Sequence, residues 1–130
     1  MVEVRERFTG RGPVTVEVRP DPLRSQLVLR DDGGVVEVLP IRPDVLPRVR
    51  QGLHEDAGGG TGGEACRVEL RDDDGTVRER WGTFTGPGGA AAVGLALLAA
   101  DRHADHAVVL DAAGRERGEL RAAARAPRRA

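Results

Sequence analysis

Residues 66–101 read CRVELRDDDGTVRERWGTFTGPGGAAAVGLALLAAD, and this stretch decides the fold. Cys66, Val68 and Leu70 alternate with Arg67, Glu69 and Arg71, the period-two pattern of a strand with one buried face. Asp72-Asp73-Asp74-Gly75 supplies a tight turn whose glycine can take positive φ. Val77 to Phe84 returns as a second strand. Pro87 suits a helix start, where its missing N–H is not needed, and the Ala/Leu-rich run extends that helix to about Asp101. The unit is strand, strand, helix.

The same plan precedes it. Gln26–Arg30 and Val35–Leu39 flank the turn Asp31-Asp32-Gly33-Gly34. Val45, Val49 and Leu53 then recur at helical spacing, with Asp44 placed to cap and Pro47 tolerable within the first turn. Leu29, Arg30, Asp31, Asp32, Gly34 and Val36 fall without a gap on Leu70, Arg71, Asp72, Asp73, Gly75 and Val77. Two explanations stand side by side: duplication of a ββα unit, with repeats at 27–56 and 68–104, or the common demands of acidic-Gly hairpin turns. The glycine-rich stretch from Ala57 to Gly63 reads as a surface loop joining the halves.

Outside these units, Val2, Val4 and Phe8 share one face, as do Val14, Val16 and Val18 after the turn Gly10-Arg11-Gly12-Pro13. A last hairpin is expected from Ala107–Asp111 and Glu116–Leu120 around Gly114, and the Arg-rich tail, 121–130, is expected to fray. The expected architecture is one α+β domain over 1–120, ordered ββ-ββα-ββα-ββ, with a mainly antiparallel sheet and two helices on one face. The second helix, carrying Ala90, Val93, Leu97, Leu98 and Ala100, should be the more deeply buried. Its Gly94 allows close approach to the sheet or to a second subunit.

Composition narrows the function classes. All 20 positions in Lys+Arg are Arg, and Tyr is absent, a bias that points to a GC-rich genome, here taken as bacterial. An Arg in such a chain is weaker evidence of phosphate recognition than usual, because Lys was not in use. The net charge of −1 creates no global attraction to nucleic acid or an anionic membrane. One cysteine, Cys66, excludes an internal disulfide and fits a reducing compartment; with no secretory signal or span-length apolar run in view, the expected location is cytoplasmic.

Gly86-Pro87-Gly88-Gly89-Ala90-Ala91 matches G-x-G-x-x-A at a helix start and, with Asp111 after Val108-Val109-Leu110, resembles a dinucleotide-binding fingerprint. That resemblance implies glycines against a pyrophosphate and an acid on a ribose. The strand before it, Val77–Trp81, is too charged for the centre of a parallel sheet, and too few residues follow Asp111 for further βαβ units. What survives is a simpler phosphate contact at Gly86, Gly88 and Gly89.

Asp101-Arg102-His103-Ala104-Asp105-His106 resembles the end of the metal-binding run of metallo-β-lactamase-like hydrolases, but the first His is replaced by Asp101 and the chain is too short for that fold. Polar residues closing a helix explain it, and no metal site is assigned. Asp72, Asp74 and Gly75 lack two of the oxygen ligands of a calcium loop. Cys66 is expected to be buried and inert, and Ser25 is the sole serine, with nothing nearby to activate it. Arg78 and Arg80 share a strand face beside Trp81, and Arg80-Trp81-Gly82 is similar to part of the Trp-Gly-Arg motif of WGR domains, with Thr83 where Arg is expected. Trp81 is expected in the core.

With no catalytic constellation and no cofactor indicated, the expected function is a non-enzymatic interaction or regulatory module. Its partner would be a protein or a second copy, docking through a sheet edge or the open sheet face. Two alternatives remain. One is nucleic-acid contact through Arg78, Arg80, Arg125, Arg128 and Arg129; the other is a phosphate-bearing small ligand at the Gly-rich helix start.

Overall fold

The computed structural model describes residues 4–8, 13–58, 65–101 and 104–121. Eight strands and two helices follow the expected order: β1 (Arg5–Arg7), β2 (Thr15–Arg19), β3 (Gln26–Asp31), β4 (Gly34–Pro40), α1 (Leu46–Gly58), β5 (Cys66–Arg71), β6 (Val77–Phe84), α2 (Pro87–Ala100), β7 (His106–Asp111) and β8 (Glu116–Arg121). The class is α+β. The strands divide between two sheets, one five-stranded in the order β1-β6-β5-β7-β8 and one three-stranded in the order β2-β3-β4.

The first segment links the two. β1 runs parallel to β6, pairing Arg7 with Trp81. A few residues later Val14 docks beside the end of the same strand, donating its N–H to the Thr83 carbonyl at 2.8 Å and accepting from the Thr85 N–H at 3.2 Å. The chain then enters the other sheet, with Thr15 opposite Arg30. Val14 is fully buried at this corner. The consequence is that β1 and β2, which sequence alone presents as one early pair, belong to different sheets.

α2 lies between the layers. It packs on β5 and β7, touches β2, β4 and β8, and crosses α1. Its Ala, Val and Leu residues carry no polar face, and Ala90, Ala92, Val93, Leu95, Ala96 and Leu98 are all buried. This is why a helix with so little amphipathic pattern is stable here: it meets protein on most sides. Ala100, expected in the core, is exposed at the helix end, and Leu97 is half-buried. Gly94 sets the distance to the sheet, since a Cβ there would stand 3.0 Å from both Val68 Cγ2 and Leu120 Cδ1. The apolar surface of α2 is thus covered within the domain.

α1 begins two residues later than the cap expected at Asp44. The Asp44 carboxylate instead accepts the Arg42 Nε–H at 3.1 Å, and Val49 N–H closes the first turn on the Val45 carbonyl. The helix also runs through Ala57 and Gly58, into the stretch read from sequence as loop; 59–64, like the tail beyond Arg121, lies outside the described residues.

Three antiparallel hairpins, β3–β4, β5–β6 and β7–β8, use one turn chemistry. Asp31, Asp72 and Asp111 each stand three residues before a glycine of positive φ: Gly34 (117°), Gly75 (88°) and Gly114 (81°). Each ladder also slips by one residue just before its aspartate, at Leu29/Arg30, Leu70/Arg71 and Val109/Leu110. The third hairpin, β7–β8, lies outside both ββα units. The residues matched between the two ββα units include those that build this turn and bulge.

Candidate functional site

The outer face of the five-stranded sheet has no helix on it among the described residues. Its strands alternate, so β5 presents Arg67, Glu69 and Arg71 there, β6 presents Arg78 and Arg80, and β7 presents His106, Val108 and Leu110. These side chains bind one another in a line across the strands. Glu6 Oε1 accepts from Arg80 Nη1 at 2.8 Å, and Glu69 Oε2 accepts from Arg80 Nε at 2.8 Å. Glu69 Oε1 takes two bonds from Arg71, at 2.7 and 3.2 Å, and Arg71 Nη1 reaches Glu116 at 3.3 Å. At the far corner Asp105 Oδ2 holds both His106 Nδ1 (2.8 Å) and Arg121 Nη1 (2.9 Å).

This lattice does two physical things. It stands beside Val108 and Leu110, the cross-strand partners of Glu69 and Arg67, which are only 2 % and 6 % exposed although they lie outside the main core cluster. It also neutralises the arginines: burial alone pushes the Glu69 carboxyl up, but hydrogen bonds and charge from Arg71 and Arg80 outweigh it and hold Glu69 below its ordinary value. The hydrogen bond from His106, joined by Arg121, likewise holds the Asp105 carboxyl down. Arg78 and Arg80 do share the face expected from sequence, yet Arg78 is paired with Asp72 at 3.3 Å and Arg80 with two glutamates. Arg125, Arg128 and Arg129 lie outside the described residues.

The glycines at the start of α2, Gly86 as its N-cap and Gly88 and Gly89 in its first turn, are placed differently from a fingerprint loop. β6 and β7, joined by α2, are separated by the antiparallel β5, so no adjacent parallel pair frames the helix start. Gly86, Gly88 and Gly89 are buried. Gly88 alone of these lines a groove of about 220 Å³ between α1, α2, β7 and β8, with Gly52, Ala91 and Leu120 in its walls and Glu55 and Arg117 bringing opposite charges. Small residues create this space: a Cβ on Gly52 would meet the Gly88 carbonyl at 3.2 Å. Asp111 serves its own turn. Its Oδ1 accepts the N–H groups of Ala113 and Arg115, each at 2.9 Å, and these bonds hold its carboxyl below the usual range.

Other sequence candidates resolve into structural roles. Trp81 is 3 % exposed, donates to Glu79 at 3.2 Å and meets Phe8 edge-on at 5.5 Å, so it is a core residue. Cys66 is buried. Asp74 accepts the Thr76 N–H at 2.9 Å, closing its turn. His103 lies outside the described residues, and among those described no group of three His, Cys, Asp or Glu side chains is arranged to hold a metal ion.

What sequence reading did not single out is the edge of the smaller sheet. β4 has β3 on one side and no strand on the other among the described residues. Across that ladder Ile41 N–H bonds to Ser25 O, so antiparallel alternation turns the N–H and C=O of Val38 and the C=O of Pro40 outward. A bulge at Val36 puts Val35 on the same face as Val38, opposite Arg30 and Val28. Val35 and Val38 are 48 % and 38 % exposed, and beyond Arg19 a turn built on Asp21 Oδ1, which accepts the N–H groups of Leu23 (2.8 Å) and Arg24 (3.2 Å), leaves Leu23 96 % exposed. At the edge of the larger sheet, β8 carries Glu116, Arg117, Glu119 and Arg121, the charged dressing that discourages strand addition.

Compared with protein-family models, with curated proteins and with solved structures, the chain matches none. No helix among the described residues is long and apolar enough to cross a membrane.

Proposed function

We propose that this domain is a non-enzymatic interaction module that takes an extended strand along β4. The observation that carries the reading is the contrast between two edge strands: β4 offers outward backbone groups beside two exposed valines, while β8 is lined with charges. Main-chain bonds to Val38 would supply affinity, and Val35 and Val38 would select apolar side chains at alternate positions.

The test is a titration of isotopically labelled protein with a synthetic strand peptide bearing valine at alternate positions. Amide shifts confined to 34–39, lost in Val38→Lys, are expected. No movement of these amides at millimolar peptide would overturn the proposal.

Nucleic-acid contact has weaker support, because Arg78 and Arg80 already face carboxylates. So has a phosphate ligand, because the groove beside Gly88 brings Glu55 as well as Arg117.

A further inference from the structure

We infer that β1 is a salt-released strap, a three-residue strand that opens as a unit and uncovers Trp81 while β2 to β8 keep their pairing. Its hold is ionic. β1 is Arg5-Glu6-Arg7, it lies parallel to β6, and each of its side chains reaches an opposite charge on another strand: Arg5 meets Glu79 at 4.0 Å, Glu6 meets Arg80 at 2.8 Å and Arg7 meets Glu37 at 2.8 Å. The three side chains are 70, 50 and 36 % exposed, so dissolved salt screens every pair. The apolar anchor is Phe8, which meets Trp81 edge-on at 5.5 Å, and the Arg7 guanidinium lies over both rings, 5.4 Å from the Phe8 centre and 4.9 Å from that of Trp81.

The strap is separable from what surrounds it. Phe8, just after β1, sits at φ 64°, a left-handed conformation that phenylalanine rarely adopts, so docking strains the backbone and release relaxes it. Further along, the chain is fastened again at Val14, which is fully buried and exchanges backbone bonds with Thr83 and Thr85, so β2 and its sheet hold their place when β1 leaves. The groups left behind are also provided for. Arg80 keeps Glu69 at 2.8 Å, Glu79 keeps the Trp81 Nε1–H at 3.2 Å, and Glu37, already 28 % exposed, meets water. Opening therefore strands no buried charge, and this is what confines it to β1. What it uncovers is Trp81, 3 % exposed against Phe8 and Arg7 and the only tryptophan in the chain.

The experiment is acrylamide quenching of Trp81 in the full chain, with amide hydrogen exchange beside it, from about 10 mM to about 1 M NaCl, a range over which the screening length falls from about 30 to about 3 Å. Quenching should rise, and exchange of the protected β1 amides should speed about 10-fold, while the Val14 N–H, bonded to the Thr83 carbonyl, keeps its protection. Glu6→Gln combined with Glu37→Gln should be quenched more readily already in low salt and should respond less to added salt, with a cooperative urea transition showing that the fold persists. Trp81 equally shielded at both salt concentrations would overturn the strap. So would loss of Val14 protection together with that of β1, because the opening would then not be local. A salt response as large in the double variant as in wild type would overturn the ion pairs as the hold.

Discussion

Replacing Glu69 by Gln tests whether the ion-pair lattice supports the fold. The Glu69 carboxylate is 4 % exposed and accepts three charge-assisted bonds, two from Arg71 and one from Arg80. A carboxamide keeps the shape but turns an N–H₂ toward one of the two guanidinium groups, so at least one bond becomes a donor–donor contact. Both arginines keep a second carboxylate, Glu116 for Arg71 and Glu6 for Arg80, and neither is fully buried, which reduces the penalty below that of a deep ion pair. The expected loss is about 2–3 kcal/mol, a fall in Tm of about 8–12 °C for a domain of this size. Because folding depresses the Glu69 pKa, its contribution is complete above the ordinary glutamate range, about pH 4.3, and disappears as pH falls through the lower folded value. Urea unfolding of wild type and E69Q should therefore show a gap at pH 7 that narrows in acid. A gap that is the same at pH 7 and pH 3 would refute the argument, since the carboxylate's charge would then carry none of the stability.

The remaining expectations follow from packing and pairing. Gly94→Leu should destabilise the domain by about 3 kcal/mol, because even a Cβ meets Val68 and Leu120 at 3.0 Å; a thermal melt unchanged from wild type would contradict the close seating of α2. Leu98→Ala should cost about 3 kcal/mol, while Leu23→Ala, at a 96 % exposed site, should leave the urea midpoint within error. Arg78→Ala together with Arg80→Ala should lower stability, with little effect on DNA retention at physiological salt; a steep, salt-dependent loss of DNA binding in that variant would favour the nucleic-acid reading instead.

The order of elements was legible because each one satisfies a local rule that its neighbours cannot change. Val68 and Leu70 alternate with charges, and Pro87 opens a helix wherever the chain goes next. Burial of α2 was equally visible, in the lack of any polar residue before Asp101. The division into two sheets was not, because it depends on Val14 docking beside Phe84, a contact between residues far apart whose identities, an ordinary valine and an ordinary phenylalanine, carry no sign of it. The ion pairing of Arg80 was hidden for the same reason: Glu69 and Glu6 come from other strands, and only the lateral order β1-β6-β5 brings them to it.

The β4 edge escaped sequence reading through one residue. Strict alternation along Val35-Val36-Glu37-Val38-Leu39 puts Val35 and Val38 on opposite faces, so at most one of them should meet solvent. The bulge at Val36 breaks that parity and leaves both outside, with Glu37 drawn inward to Arg7, 2.8 Å away, at the meeting of the two sheets. The Arg7–Glu37 bond therefore fixes more than a surface ion pair. By holding the strand in its bulged register it keeps two valines together on an edge, and a chain that restored simple alternation at β4 would turn one of them away from solvent.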